Sequence, residues 1–217
     1  MEDLSLVQRI VVWLLPVVFA ITVHEVAHGW VAKQFGDKTA FLQGRLTLNP
    51  FKHVDIFGTI ILPGLMLITF TGFIFGWAKP VPVDARNFKD PRKAMMVVAL
   101  AGPLSNLLMA VFWALLARIG MMYHEYEFVS MPLIYMGSAG IHINLILALL
   151  NLLPIPPLDG SRILSGLLPH YWAWQFNRLE KYGFIILLVL LATNVLNSIL
   201  AYPLFNLSQL FFSLAGM

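Results

Sequence analysis

Long apolar runs separated by short polar loops set the pattern of this chain. Residues 6–35, 56–78, 94–119, 139–153 and 182–201 are such runs, and 203–217 is an apolar tail. A helix crosses the ~30 Å hydrocarbon core of a bilayer with ~20 residues. The first run is long enough to span, the third and fourth read as helices, and 182–201 spans. The tail reads as a partial span or a surface helix.

Two runs are interrupted. The 56–78 run has spanning length but is broken at Pro63-Gly64, with Gly58, Gly72 and Gly76 elsewhere. Basic loops flank it on both sides: Lys33, Lys38, Arg45 and Lys52 before, and Lys79, Arg86, Lys89, Arg92 and Lys93 after. A span there would put equally basic loops on opposite faces, against the positive-inside rule. A segment that dips in and returns keeps both loops cytoplasmic, so 56–78 is read as re-entrant. The loop 120–138 carries Glu125, Glu127 and His124 without Lys or Arg, which suits the opposite face. The fourth run dissolves after residue 153 into Pro154-Ile155-Pro156-Pro157-Leu158-Asp159-Gly160, where three prolines cannot continue a helix. Broken helices at membrane depth commonly mark binding sites. A short helix is expected over 161–168, and 169–181, with Trp172 and Trp174, suits an interface.

Composition fits the pattern. Of 217 residues, 59% are hydrophobic and 12% charged, with mean hydropathy +0.79. Soluble domains are nearer half apolar and a quarter charged, so the fold class is an all-α polytopic membrane protein. One integral membrane domain over 1–217 is expected, with no room for a second soluble one. The net charge of +3 resides in loops between apolar runs, a topology signal rather than a nucleic-acid surface. Zero cysteines exclude disulfides and thiolate ligands. The acidic start, without a small-residue cleavage site, makes the first run a retained helix.

Against this background His24-Glu25-Val26-Ala27-His28 stands out. From Ile10 to Ala27 only His24 and Glu25 are ionisable. On a helix, residues four apart share a face, so both imidazoles can bind one metal ion with Glu25 near its water. Such groups at membrane depth are a functional hypothesis by default. A catalytic zinc needs a third protein ligand. Val31 and Gln34 stand where the soluble H-E-x-x-H-x-x-G-x-x-H pattern needs glycine and histidine, and no glutamate follows Glu25 until Glu125. Asp55, Asp84, Asp90, Asp159 and histidines 53, 124, 142 and 170 remain. Depth discriminates among them. His24 lies ~27 Å along a helix begun at Leu6, near the far side of the core. If 56–78 is re-entrant, the third run goes outward, the fourth returns, and Asp159 arrives at the depth of the motif.

The H-E-x-x-H with Asn151-Leu-Leu-Pro154-Ile-Pro156-Pro157-Leu158-Asp159-Gly160 resembles the site-2 protease family of intramembrane zinc metalloproteases. Gly102-Pro103-Leu-Ser-Asn106 and Gly76-Trp77-Ala-Lys79-Pro80-Val-Pro82-Val look like its compact subgroup without a PDZ domain. The likeness runs from the first run to about residue 168. It implies a three-helix catalytic core (about 6–35, 94–119 and 139–153), plus the re-entrant segment and one or two C-terminal helices. It implies one Zn2+ per chain on His24, His28 and Asp159, with Glu25 as general base and acid. Asn151 is implied to bind the substrate backbone or the developing oxyanion, and Asn106 to support the site. The implied substrate is a transmembrane protein or peptide cut within the lipid bilayer. The implied place is the cytoplasmic membrane, with the site near its cytoplasmic side. Residues 80–83 are expected to offer an extended edge to an unwound substrate.

Plainer readings compete with some of these. Asn151 can equally satisfy the backbone of the broken helix, and Asn106 is more readily structural than catalytic. His53 and His142 read as packing residues, and Asp159 alone could be an Asp-Gly turn. A second function class, a membrane metal-ion transporter with His and carboxylate at a broken helix, shares these features.

Overall fold

The structure, a computed structural model, describes residues 5–68 and 76–217. Helix α1 (Leu6–Gln34) starts at a capping box: Gln8 N–H donates to Ser5 Oγ, and Ser5 N–H donates to Gln8 Oε1. A short α2 (Thr39–Leu42) follows, then an irregular stretch and a π turn (Ile56–Ile61) leading into α3 (Leu62–Ile68). Residues 76–84 run without helix or ladder, as a strap. Helices α4 (Pro91–Met122) and α5 (Glu127–Leu152) form a long hairpin. After the proline-rich turn come α6 (Asp159–Leu167), α7 (His170–Asn177), α8 (Glu180–Ala192) and α9 (Val195–Ala215). Among the described residues, α1, α4, α5 and α9 are long and apolar enough to cross a membrane. The chain is an all-α polytopic membrane protein.

The re-entrant reading of 56–78 has direct support. Trp77 N–H donates to Gly58 O at 3.1 Å, and Thr59 Oγ1–H donates to Trp77 O at 2.9 Å. A spanning helix separates its ends by ~30 Å, whereas these two ends touch. The expected break at Pro63-Gly64 falls instead in the first turn of α3, and Gly72 lies outside the described residues.

Three boundaries differ from expectation. The fourth helix starts at Glu127, not 139, so much of the expected 120–138 loop is helical. Packing explains it: a Cβ on Gly137 would collide with Ala117, and one on Gly140 with the Trp113 ring. At the start of α5 a Cβ on Gly120 of α4 would likewise meet Ser130 O, so the two helices pack closely from the first turn of α5, as small residues allow in membranes. The expected span 182–201 is instead divided. Asn194, with φ 60°, ends α8 and starts α9. The spanning element is α9, which absorbs most of the tail 203–217. Its Phe211 and Ala215 pack with Ala110, Trp113, Ala114, Ala117, Ile141 and Leu145 in the main core. That core, rather than α9's own sequence, determines where it lies. The third run also begins earlier, at Pro91, because Asp90 caps it by accepting from Lys93 N–H.

Outside the spans, buried Asp37 ties α1 to the strap. Its carboxylate accepts from Thr39 N–H (3.0 Å), Thr39 Oγ1–H (2.5 Å), Asp84 N–H (2.7 Å) and Asn87 Nδ2–H (2.7 Å). Burial alone would raise its pKa, but those donors outweigh burial and hold it below the ordinary 3.8. Because the folded pKa is depressed, the contribution to stability is complete above the unfolded value and is lost as pH falls through the folded one. Asp37→Asn therefore destabilises the protein at pH 7 by about 1–3 kcal/mol. The gap from the unaltered protein narrows as pH falls below 3.8. Thermal unfolding in detergent at pH 7 and pH 3, followed by tryptophan fluorescence, measures both.

Candidate metal centre

The two histidines of α1 meet α4 at Gly102. A Cβ there would strike both imidazole rings, so glycine is what permits this crossing. Close approach recurs after α5, where a Cβ on Gly160 would collide with the carbonyls of Leu152 and Leu153. The chain thus doubles back sharply, and Asp159, first residue of α6, comes beside the histidines. Arg92, at the start of α4, donates to Gly166 O at 2.8 Å and also to Leu168 O, capping the far end of α6.

His24 Nε2 and His28 Nε2 are 3.0 Å apart, and each lies 3.2 Å from Asp159 Oδ2. The other ring nitrogens show which atoms carry protons. His28 Nδ1–H donates to Val98 O at 2.7 Å, a partner that can only accept. His24 Nδ1–H donates to Asn106 Oδ1 at 2.6 Å. The orientation of that amide is fixed, because Asn106 Nδ2 donates to Ala20 O (3.2 Å) and Asn144 Oδ1 (3.0 Å). Asn144 is fixed in turn by donating to Gly140 O at 2.8 Å. In the neutral rings both Nε2 atoms therefore present lone pairs, and they face each other and a carboxylate. Three acceptors at such distances repel unless a cation lies between them.

The donor set suits zinc. Tetrahedral ligands at Zn–N and Zn–O lengths of ~2.0–2.2 Å lie ~3.3–3.5 Å apart, a few tenths wider than this triangle. Among the described residues it is the one His/Cys/Asp/Glu group placed to hold a metal.

A model of peptidase family M50 matches residues 119–194, which include Asn151 and Asp159. The protein named "Putative zinc metalloprotease YwhC" of Bacillus subtilis (strain 168) is 44% identical over 208 residues, covering 94% of this chain and 88% of that protein. The chain belongs to peptidase family M50. Of two less similar relatives, "Putative zinc metalloprotease Rip2" of Mycolicibacterium smegmatis is 31% identical over 199 residues, 91% of this chain and 71% of its own. "Putative zinc metalloprotease MJ0611" of Methanocaldococcus jannaschii is 33% identical over 154 residues, 69% of this chain and 66% of its own. No solved structure matches. This M50 peptidase is a membrane zinc metalloprotease, and its cofactor is Zn2+.

The other candidate residues have structural partners. Asp55, Asp84 and Asp90 each cap a local turn by accepting from Gly58, Arg86 and Lys93 N–H. The exposed Arg86 guanidinium beside Asp84 lowers its pKa to about 2. His53 donates from Nε2 to Thr47 O at 2.9 Å, and His142 packs on Phe212. His124 and His170 are exposed. Asn151 donates from Nδ2 to Leu147 O at 3.0 Å, one turn back on its own helix. The expected open edge at 80–83 differs too. Val81 N–H is taken, donating to Glu25 Oε2 at 2.7 Å.

Asn144 escaped the sequence reading. It is an amide in an otherwise apolar stretch of α5, as costly there as Asn106 on α4, and that cost was the available signal. If the chain from Asn144 through Asn106 sets the His24 tautomer, Asn144→Leu weakens zinc binding about 10- to 100-fold. Zinc retention against a competing chelator, with helicity as a control for folding, checks this.

Proposed function

We propose that this M50 peptidase cleaves transmembrane segments near the cytoplasmic end of the bilayer. His24, His28 and Asp159 hold the Zn2+, and Glu25 is general base and acid. The observation that carries the reading is the convergence of two imidazole lone pairs and one carboxylate on a single point beside Glu25. The flanking basic loops, tied together where 58 meets 77, support the cytoplasmic placement.

Zinc bound by this set supplies a Lewis acid and makes a water nucleophile available near neutral pH. The side chains do the rest. Glu25 accepts the proton at its carboxylate and delivers it to the amide nitrogen that leaves. Val98 O and Asn106 Oδ1 keep both Nδ1 protons in place, so the Nε2 lone pairs stay available. Asn151 has a second N–H besides the one held by Leu147 O, and we assign it to the oxyanion that develops at the scissile carbonyl. The substrate must be locally unwound, because the amides of an intact helix are already hydrogen-bonded.

Glu25→Gln is the decisive variant. It keeps stoichiometric zinc and loses cleavage of a transmembrane substrate in proteoliposomes by at least a thousandfold, on the order expected for removing the proton carrier of a metal-dependent hydrolysis. Cleavage at an unaltered rate would overturn the assignment of Glu25. Metal flux into the vesicles that survives the substitution would instead favour transport.

A further inference from the structure

The strap over the metal centre carries one contact that sequence pattern could not disclose: Val81 N–H on Glu25 Oε2, at 2.7 Å. What holds that amide in place is not the strap itself, which has no secondary structure between residues 76 and 84. Pro80 and Pro82 lack amide hydrogens, so Val81 supplies the single N–H of that tripeptide. Its side chain is buried against α1 at Gly29, where a Cβ would collide with Val81 and Leu46.

The restraint next to Val81 comes from Arg45. Its Nη2 donates to Lys79 O at 2.8 Å and to Pro80 O at 3.3 Å, the two carbonyls that precede Val81. Arg45 is only 8% exposed. Among the described residues no carboxylate lies within ion-pair distance of it, and its Nε–H is buried without an acceptor. Burying a guanidinium without a counter-charge is unfavourable, so stability does not account for it. Its carbonyl contacts do account for its placement. Lys79 N–H donates to His53 O at 2.8 Å, and the far end of the strap is held where Asp84 N–H meets Asp37.

We propose that Arg45 is a positioning residue for the peptidase reaction. By fixing the Lys79 and Pro80 carbonyls it seats the Val81 amide on Glu25 Oε2, which orients the carboxylate and leaves Oε1 to take the proton. The inference rests on Glu25 as general base. A long carboxylate side chain has several rotamers, and displacement of a reacting group by about 1 Å costs about 100-fold in rate. Arg45 removes that freedom without touching substrate or metal. Its role should appear in kcat rather than in KM.

The test uses the full-length, zinc-loaded protein in detergent and in proteoliposomes, with a transmembrane peptide as substrate. Arg45→Ala lowers kcat about 10- to 100-fold with KM changed less than about twofold and zinc content unchanged. Arg45→Lys, which retains one donor, recovers a substantial part of the loss. Independently of activity, hydrogen exchange at Lys79 and Val81 accelerates in Arg45→Ala. In Glu25→Ala, where Arg45 is intact, exchange accelerates at Val81 and not at Lys79. That arm stands even if Arg45→Ala fails to fold. Unchanged Val81 exchange in Glu25→Ala, unchanged kcat in the arginine variants, a rise in KM alone, or loss of zinc would each overturn the proposal. Failure of the base assignment is separate: it shows as retained cleavage in Glu25→Gln, whatever Arg45 does.

Discussion

Two lone pairs and a carboxylate, held 3.0–3.2 Å apart inside an apolar bundle, are the arrangement on which the rest of the structure depends. Left without a cation they repel, and the low dielectric around them strengthens that repulsion. Helix spacing brings the two imidazoles together, but nothing local adds the carboxylate. The approach requires α1 to cross α4 at Gly102, α5 to lie against α4 at Gly137 and Gly140, and the chain to fold back at Gly160. Each of these is a place where one added carbon collides with backbone or ring. In a membrane, where lipid competes for apolar surface as well as protein does, such backbone approach provides much of the association between helices. The glycines are thus both the adhesive of the bundle and the spacing of its metal centre.

The polar groups behind the candidate metal ligands follow from the same constraint. An imidazole in a bundle interior has two nitrogens, and using one for a metal commits the other to a partner. His28 finds a backbone carbonyl on α4, that of Val98. His24 lies deeper and meets a side chain instead, so its tautomer depends on an amide that must itself be held. The relay ends at Gly140 O, a helical carbonyl. A chain of this kind is tolerable at depth because every member of it is satisfied.

Much of this was legible in the residues. Charge asymmetry around 56–78 predicted a re-entrant path, and the path predicted which aspartate would reach the histidines. Both inferences use long-range physical rules, burial and topology, that survive ignorance of detail. The misplaced boundaries are of another sort. Gly137 looked like a loop residue because a glycine's role depends on what it faces, and its partners Trp113 and Ala117 lie far away in sequence. The run 182–201 was read as one span because it is mostly apolar despite Thr193, Asn194, Asn197 and Ser198, while the break at Asn194 is a matter of backbone conformation. Asn144 went unassigned because a single polar residue shows that a cost exists but not what offsets it, and Arg45 read only as one charge of a basic loop.

The strap illustrates why backbone contacts are the least legible of all. The sequence Pro80-Val-Pro82 signals an extended chain with few donors, and an edge offered to substrate is the natural expectation. An edge with a proline at every second position, however, has little to offer on the prolines' side of the strand. Its remaining amide is the valuable one, and it points at Glu25, the carboxylate proposed as general base. Prolines that remove neighbouring donors leave Glu25 no competing amide within 80–82, so the carboxylate has a single backbone partner in that tripeptide. A helix could not supply this, since its amides are occupied by its own carbonyls. A ladder would pair the amide with another strand. An isolated extended segment, stiffened by proline and held by its carbonyls, is among the few backbone forms that can dedicate one N–H to a single side chain.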